Sequence, residues 1–369
     1  MFHKFILPIL CLAWFASCKP GKGIEETPEA DRGPMIENYA TNIIVPAFVE
    51  LQSSMSALND AAVVFNGDRS SVNLLTLRQA FQQSYKDWQA VALYDFGPST
   101  TYGLLPEGIG VNSYPTNTTS LEANITAGGY NFNTANGAVI SGFPALDNLL
   151  YSRTLTDNEI ITLFDDDKRR TYLVDVIQHI KTKVDNVVSD WNTSYSATFK
   201  SNLGVDVGSS TSNVVNRLIR SVEIIKNFKV GVPANIIANV LGDPATTYPE
   251  KSEAYYSDSS LAQIRASFNA IKRTYTGTSA LGVNGAGLDD YLVAIGQASL
   301  DATIRNQFTV IDAKLESIPE TFSSSLNDNS HLTKIRELHA EFVTLVALLK
   351  VDLTSATGVM ISYTDNDGD

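Results

Sequence analysis

Asp147, Glu223, Glu253, Tyr255, Tyr256 and His339 are the side chains of this sequence best equipped for chemistry. Carboxylate and phenol oxygens suit a hard cation such as ferric iron, and an imidazole adds a nitrogen ligand. Glu253, with Tyr255 and Tyr256 close behind it, sets a charge beside two phenols in a turn, the composition of a pocket wall or of a decorated loop. His339 falls on the apolar stripe of the last helix, where a histidine is either a core residue with one satisfied hydrogen bond or a ligand. A metal site would form if Asp147 and His339 converged with Glu223 or Glu253 from different helices. Other chemistries are excluded by pattern. The chain has only four histidines, no pair at i, i+4 and no His-Glu-x-x-His, so a zincin-type peptidase is unsupported. No serine stands in a nucleophile-elbow context. The glycine-rich run 276–287 follows no strand and carries no Gly-Lys-Ser/Thr, so it reads as a break between helices. Asp365-Asn366-Asp367-Gly368-Asp369 looks like the start of a calcium loop without its later ligands, hence a solvated tail before a weak Ca²⁺ site.

The elements that must carry these residues are helical. Ile36, Tyr39, Ile43, Phe48, Leu51, Met55, Leu58, Ala62 and Phe65 repeat at helical spacing, with Pro46 inside the run as an expected kink. A second helix carries Leu74, Leu77, Phe81, Tyr85 and Trp88 and stops before Gly97-Pro98. Residues 98–134 form a long irregular excursion with one short helix near Ser120–Ala127, and long loops in compact domains tend to carry function. Ser141–Tyr151 follows directly, with Leu146, Leu149 and Leu150 on one helical side. Another long helix passes through Leu173, Val176, Ile180, Val184, Val187 and Trp191, its start favoured by Asp165-Asp166-Asp167 at the positive end of the dipole. The second half repeats the pattern through Val214–Ile225, Leu261–Ile271 and about Asn329–Leu353. No strand-period alternation of any length appears. The expected fold class is all-α, two packed helical bundles over 34–203 and 209–369 with long irregular inter-helix loops, and with a cleft between the bundles or beside the excursion.

Ser141-Gly142-Phe143-Pro144-Ala145-Leu146-Asp147-Asn148-Leu149-Leu150 resembles the signature of the imelysin-like family, a Gly-x-His-x-x-Glu motif followed by Leu-Leu. Lys226–Pro233, Glu253–Ser257 and the tail from Gly358 resemble further family segments, so the likeness covers nearly the whole chain beyond its first residues. The resemblance implies a bacterial envelope protein linked to iron acquisition, in a family named for a peptidase activity. In this sequence the motif positions are Gly142, Pro144 and Asp147. Proline has no side-chain lone pair for a metal, which argues against transferring the peptidase activity.

The 369 residues are 44% hydrophobic and 18% charged, enough to bury a sizeable core. A formal net charge of −13 offers no basic surface for phosphates and excludes nucleic acid as a partner. At the N-terminus a short basic start precedes an apolar run of about 11 residues, too short to span a bilayer and of signal-peptide length. Phe15-Ala16-Ser17-Cys18 follows like a lipobox, so residues 1–17 are expected to be a signal peptide, Cys18 the lipidated residue and 18–33 a flexible tether. Cys11 and Cys18 are the two cysteines, and with Cys11 in the leader no internal disulfide can form. The expected function is a lipid-anchored outer-membrane protein, periplasmic or surface-facing. It would be a non-catalytic component binding iron, another divalent metal, a metal chelate or a transporter component. The alternatives are a metal-dependent peptidase and a structural surface protein that binds a partner.

Overall fold

In a computed structural model, residues 30–104, 110–237, 246–319 and 321–363 are described. The expected signal peptide, Cys18, most of the tether and Asp365–Asp369 lie outside them. The described residues are helical, with one isolated antiparallel bridge, Thr278 to Asn284, in the glycine-rich loop. The fold is all-α, as the periodicity requires.

The helices that frame the molecule are α1 (Gly33–Asn38), α2 (Val45–Gly67), α3 (Ser71–Val91), α4 (Thr118–Ala127), α5 (Gly142–Leu150), α6 (Asp167–Asp190), α7 (Ser210–Ile224), α8 (Ser260–Tyr275), α9 (Ala298–Glu316) and α10 (Asn329–Ala347). Five of their starts follow from side-chain caps. Ser70, Asn117, Asp166, Ser209 and Asp328 each accept a hydrogen bond from a backbone N–H in the first turn of the helix that follows. The acidic run before α6 thus acts as a helix start, through Asp166.

The kink expected at Pro46 takes a specific form. A π-helical turn, Tyr39–Ile44, joins α1 to α2 just ahead of the proline. The Val45 N–H reaches back to the Ala40 carbonyl, five residues away, and this wider winding takes the chain into the proline without ending the helix. Three more π-helical turns interrupt or end long helices, at Trp191–Tyr195, Ile225–Gly231 and Leu348–Leu353.

Helix α3 sets the architecture. It packs on α2 within the first half and on α8 of the second, while α2 also lies on α6, and α7 contacts α8 and α10. The buried apolar side chains of both halves form one continuous core. Tyr85 and Trp88 of α3 are both buried against Phe143 of α5, the Tyr85 ring stacked on it with centroids 4.8 Å apart. The turn after residue 203 ends at Ser209, the cap of α7. The glycine-rich loop joins α8 to a short helix, Leu288–Ala294, as a break between helices should. It is held from the other half by Asn38, whose Nδ2 donates to the carbonyls of Gly277 (2.8 Å) and Ala286 (2.9 Å).

Candidate functional site

Helix α5 is buried along almost its whole length, Gly142, Pro144 and Asp147 included. Gly142 has φ +78°, and a Cβ there would run into the Val111 carbonyl, so the position admits only glycine without a shift of backbone. The close approach is used: the Phe143 N–H donates to the Val111 oxygen at 2.8 Å, fixing the excursion against the helix start. Pro144 lies in the first turn, where its absent N–H leaves no intrahelical bond unmade. Asp147, 1% exposed, faces the turn 253–258. Its Oδ2 accepts the Tyr256 N–H at 2.8 Å and its Oδ1 the Ser257 N–H at 3.2 Å. Ala254 (φ +53°) and Asp258 (φ +57°) take left-handed conformations that curl this turn around the carboxylate. Among the described residues no lysine or arginine forms an ion pair with Asp147. Burial, and then the Glu253 charge, push its pKa up to about 7, against the pull of the hydrogen bonds from Ser257 and Tyr256.

The motif helix therefore grips two segments, and each delivers a polar side chain to one point. Asn112 follows Val111, and Glu253 opens the turn held by Asp147. Glu253 Oε1 accepts from Asn112 Nδ2 (2.7 Å) and Gln89 Nε2 (2.8 Å), and its Oε2 pairs with Lys229 Nζ at 2.8 Å. Lys229 also donates to Gln89 Oε1 (2.6 Å) and Ser267 Oγ (2.8 Å), and the Ser267 hydroxyl donates to the same Gln89 oxygen (2.7 Å). Tyr85 donates to Asn112 Oδ1 at 2.7 Å. Burial, then the charges of Glu253 and Asp147, push the Tyr85 phenol well above its ordinary value, so it stays a donor. Burial also holds Lys229 below the ordinary lysine value, with Glu253 drawing it back up. Lys229 and Glu253 are 4% and 1% exposed, so this is a buried ion pair; neutral amides bond Glu253 Oε1, an amide and a hydroxyl bond Lys229, and Glu253 Oε2 faces only the ammonium charge.

Above this network lies a cavity of about 390 Å³, open on one side. Gln89, Asn112, Lys229 and Ser267 form its polar end. Ala92, Leu93, Val139, Ile224, Ile225 and Phe228 supply apolar walls, with Ser113, Tyr114 and Ser221 completing the lining. The cavity is built from both halves of the chain: α3 and the excursion on one side, α7, its π-helical extension and α8 on the other.

The structure does not bring the six sequence candidates into one ligand set. Asp147 and Glu253 are neighbours, but the oxygens of each are already engaged. Glu223 is fully buried elsewhere on α7, between Arg220 (3.3 Å) and Lys350 (3.1 Å). His339 is half-buried rather than a core residue, because the neighbouring Leu338 takes the inward position on α10. Its imidazole feels Lys226, and burial and then that charge lower its pKa to about 4. Tyr255 lies under the Arg153 guanidinium at 5.0 Å and against the Tyr256 ring, and Arg153 pairs with Asp258 at 3.2 Å. The two phenols thus brace the outside of the turn. Convergence of Asp147, His339 and Glu253 on a metal is corrected by this geometry, since α10 packs on α7 and α9 while α5 packs on α3 and α6. Among the described residues no three His, Cys, Asp or Glu side chains are grouped to hold a metal ion. The donor set at the motif does not fit one either: Pro144 offers no lone pair and Asp147 is committed to backbone amides.

Sequence reading found Glu253 and missed Gln89, Asn112, Lys229 and Ser267. Three of these carried a signal. Gln89 follows Tyr85 by four residues, Lys229 follows Ile225 by four, and Ser267 follows Ile264 by three. Each is a polar residue on an apolar helical stripe, a position that demands a buried partner. Asn112, in the irregular excursion, carried none.

The described residues form an all-helical fold in which a buried Gly-x-Pro-x-x-Asp helix organises an inter-half polar network. The chain belongs to the imelysin family: the profile described as imelysin (Peptidase_M75) matches residues 44–349. Iron-regulated protein A of Synechococcus elongatus is 21% identical over 292 residues, covering 79% of this chain and 77% of that protein. Among solved structures, a putative iron-regulated protein A precursor from Parabacteroides distasonis superposes with a TM-score of 0.72 at 17% identity, covering 90% of this chain and 97% of that one. An imelysin-like protein from Psychrobacter arcticum gives 0.68 at 17% identity, covering 91% and 99%. These two structures show that the fold is shared.

Proposed function

We propose that this chain is a non-catalytic binding component of the bacterial cell envelope, carried by a lipid on Cys18 and associated with iron uptake. The observation that supports binding over catalysis is the state of the motif. Its one ionisable side chain, Asp147, is spent on holding the turn 253–258, and that turn presents Glu253 to a closed network beneath an open cavity. The iron association rests on the names of the relatives, two of which are called iron-regulated. The ligand sits in the cavity between the halves, and the excursion at 110–114 forms part of its wall. A partner transporter component would then take over what the cavity holds.

The test is thermal denaturation of the purified chain with ferric citrate, haemin, peptides and cavity-sized organic compounds, alongside peptide hydrolysis with and without a chelator. A bound ligand stabilises the folded state by linkage. Stabilisation by at least one compound without hydrolysis is expected. Chelator-sensitive hydrolysis, lost in a folded Asp147→Ala variant, would instead establish the metal-dependent peptidase. A chain that no compound stabilises and that hydrolyses nothing would be the structural surface protein. Loss of palmitate labelling in Cys18→Ala tests the anchor, and unchanged labelling sinks it.

A further inference from the structure

We infer that the cavity between the halves takes a neutral, largely apolar organic molecule, and not a bare metal ion or an anion. This rests on the reading of the cavity as the binding site and names its ligand class. The argument starts from what the polar end has left to offer. Of the three N–H donors on the Lys229 ammonium, Gln89 and Ser267 take two at 2.6 and 2.8 Å, and Glu253 Oε2 lies 2.8 Å from the nitrogen as its ion-pair partner. The positive charge is matched by one carboxylate that lies 1% exposed behind the cavity. An anion entering here would have to pull Lys229 from Glu253 and strand a buried carboxylate, which is strongly unfavourable. A cation would meet the Lys229 ammonium itself. Neither cost falls on a neutral molecule.

The walls point the same way. Leu93, Val139, Ile224, Ile225 and Phe228 face the space, so transfer of apolar surface out of water is the main attraction available. A cavity of about 150 Å³ accommodates one benzene, so about 390 Å³ corresponds to about 15 non-hydrogen atoms, the size of two or three fused or linked rings. A single hydroxyl, amine or carbonyl on such a molecule can lie against the amides of Gln89 and Asn112 without breaking the ion pair.

Two fluorescent probes isolate the charge. N-phenyl-1-naphthylamine is neutral, and 1-anilinonaphthalene-8-sulfonate has the same ring system with one sulfonate added. With the full mature chain, the neutral probe is expected to bind at one per chain, at least tenfold more tightly than the sulfonate. Ala92→Phe and Ser221→Phe place bulk into the cavity from its two sides and are expected to abolish that binding while circular dichroism stays unchanged. Glu253→Gln leaves Lys229 without its counter-charge and is expected to move the preference towards the sulfonate by tenfold or more. If that variant does not fold, the ratio in the unmodified chain decides. Equal or tighter binding of the sulfonate, blocked by Ala92→Phe, would overturn the ligand class and keep the cavity as the binding site. Binding of the neutral probe that neither Phe variant reduces, or binding of neither probe, would overturn both.

Discussion

Two carboxylates, Asp147 and Glu253, are each 1% exposed and close enough that the charge of one raises the pKa of the other, yet they are held in opposite ways. Glu253 has a lysine and two side-chain amides drawn from three separate segments of the chain. Asp147 has two backbone N–H groups from a single turn and, among the described residues, no cation. One is a charge cancelled where the halves meet; the other is a charge tolerated because a curled backbone solvates it. The difference teaches which of them a change in conditions can reach. Asp147, buried with amide donors alone, takes its proton within the neutral range.

The largest expected effect breaks the cancelled pair. Lys229→Met leaves the Glu253 carboxylate buried without its cation, a loss of about 3–5 kcal/mol in unfolding free energy. Urea denaturation measures this, and Lys229→Met combined with Glu253→Gln should recover a large part of it by removing the stranded charge. If the single and double variants are equally unstable, the pair is not what Lys229 provides.

A smaller effect sharpens the other half of the comparison. The folded-state pKa of Asp147 is raised to about 7, well above the unfolded value of about 3.9. The folded chain therefore holds this proton over a range where the unfolded chain has lost it. The contribution is full below the unfolded pKa and is lost as pH rises through the folded one. Asp147→Asn gives up one of its two charge-assisted bonds, a cost of about 1–3 kcal/mol, and removes this titration. The melting-temperature advantage of the unmodified chain over Asp147→Asn should accordingly be larger at pH 5 than at pH 8. A difference that stays constant between pH 5 and pH 8 would show that Asp147 is ionised throughout.

The smallest effect is an expected absence of change. Pro144→His restores the histidine of the family motif, but Asp147 keeps its oxygens on the Tyr256 and Ser257 amides. Zinc or iron should leave the melting temperature of this variant unchanged relative to the metal-free protein. A metal-dependent rise would mean that the turn releases Asp147 when a second ligand is supplied.

The helices were legible because each obeys local rules. Apolar stripes at 3.6-residue spacing and capping side chains at Ser70, Asp166 and Ser209 lie within a few residues of what they determine. The start of α5 was legible for the same reason, since Gly142 and Pro144 each constrain their own backbone. The π-helical turns were not, because one extra residue in a turn barely disturbs the apolar pattern; only Pro46 marked one of them. The polar network was hidden for a different reason. Glu253 meets Gln89 across 164 residues and Asn112 across 141, so neither spacing nor motif could pair them. His339 shows the limit of stripe counting. One step along α10 separates the buried Leu338 from a half-buried ring, and the width of the stripe does not decide between them.

Asn38 carries a consequence for how the molecule is made. Its two hydrogen bonds to the glycine-rich loop span 239 and 248 residues of chain. During synthesis α1 emerges early, with the carbonyls of Gly277 and Ala286 still far from being joined to it. The opening helix must wait, through most of translation, for the segment that secures it. A chain stalled or cleaved before residue 260 would leave α1 unfastened and the apolar faces of α3 and α7 without α8 to cover them. Such fragments should be insoluble or quickly degraded, and the native contacts should register only once nearly the whole polypeptide is available.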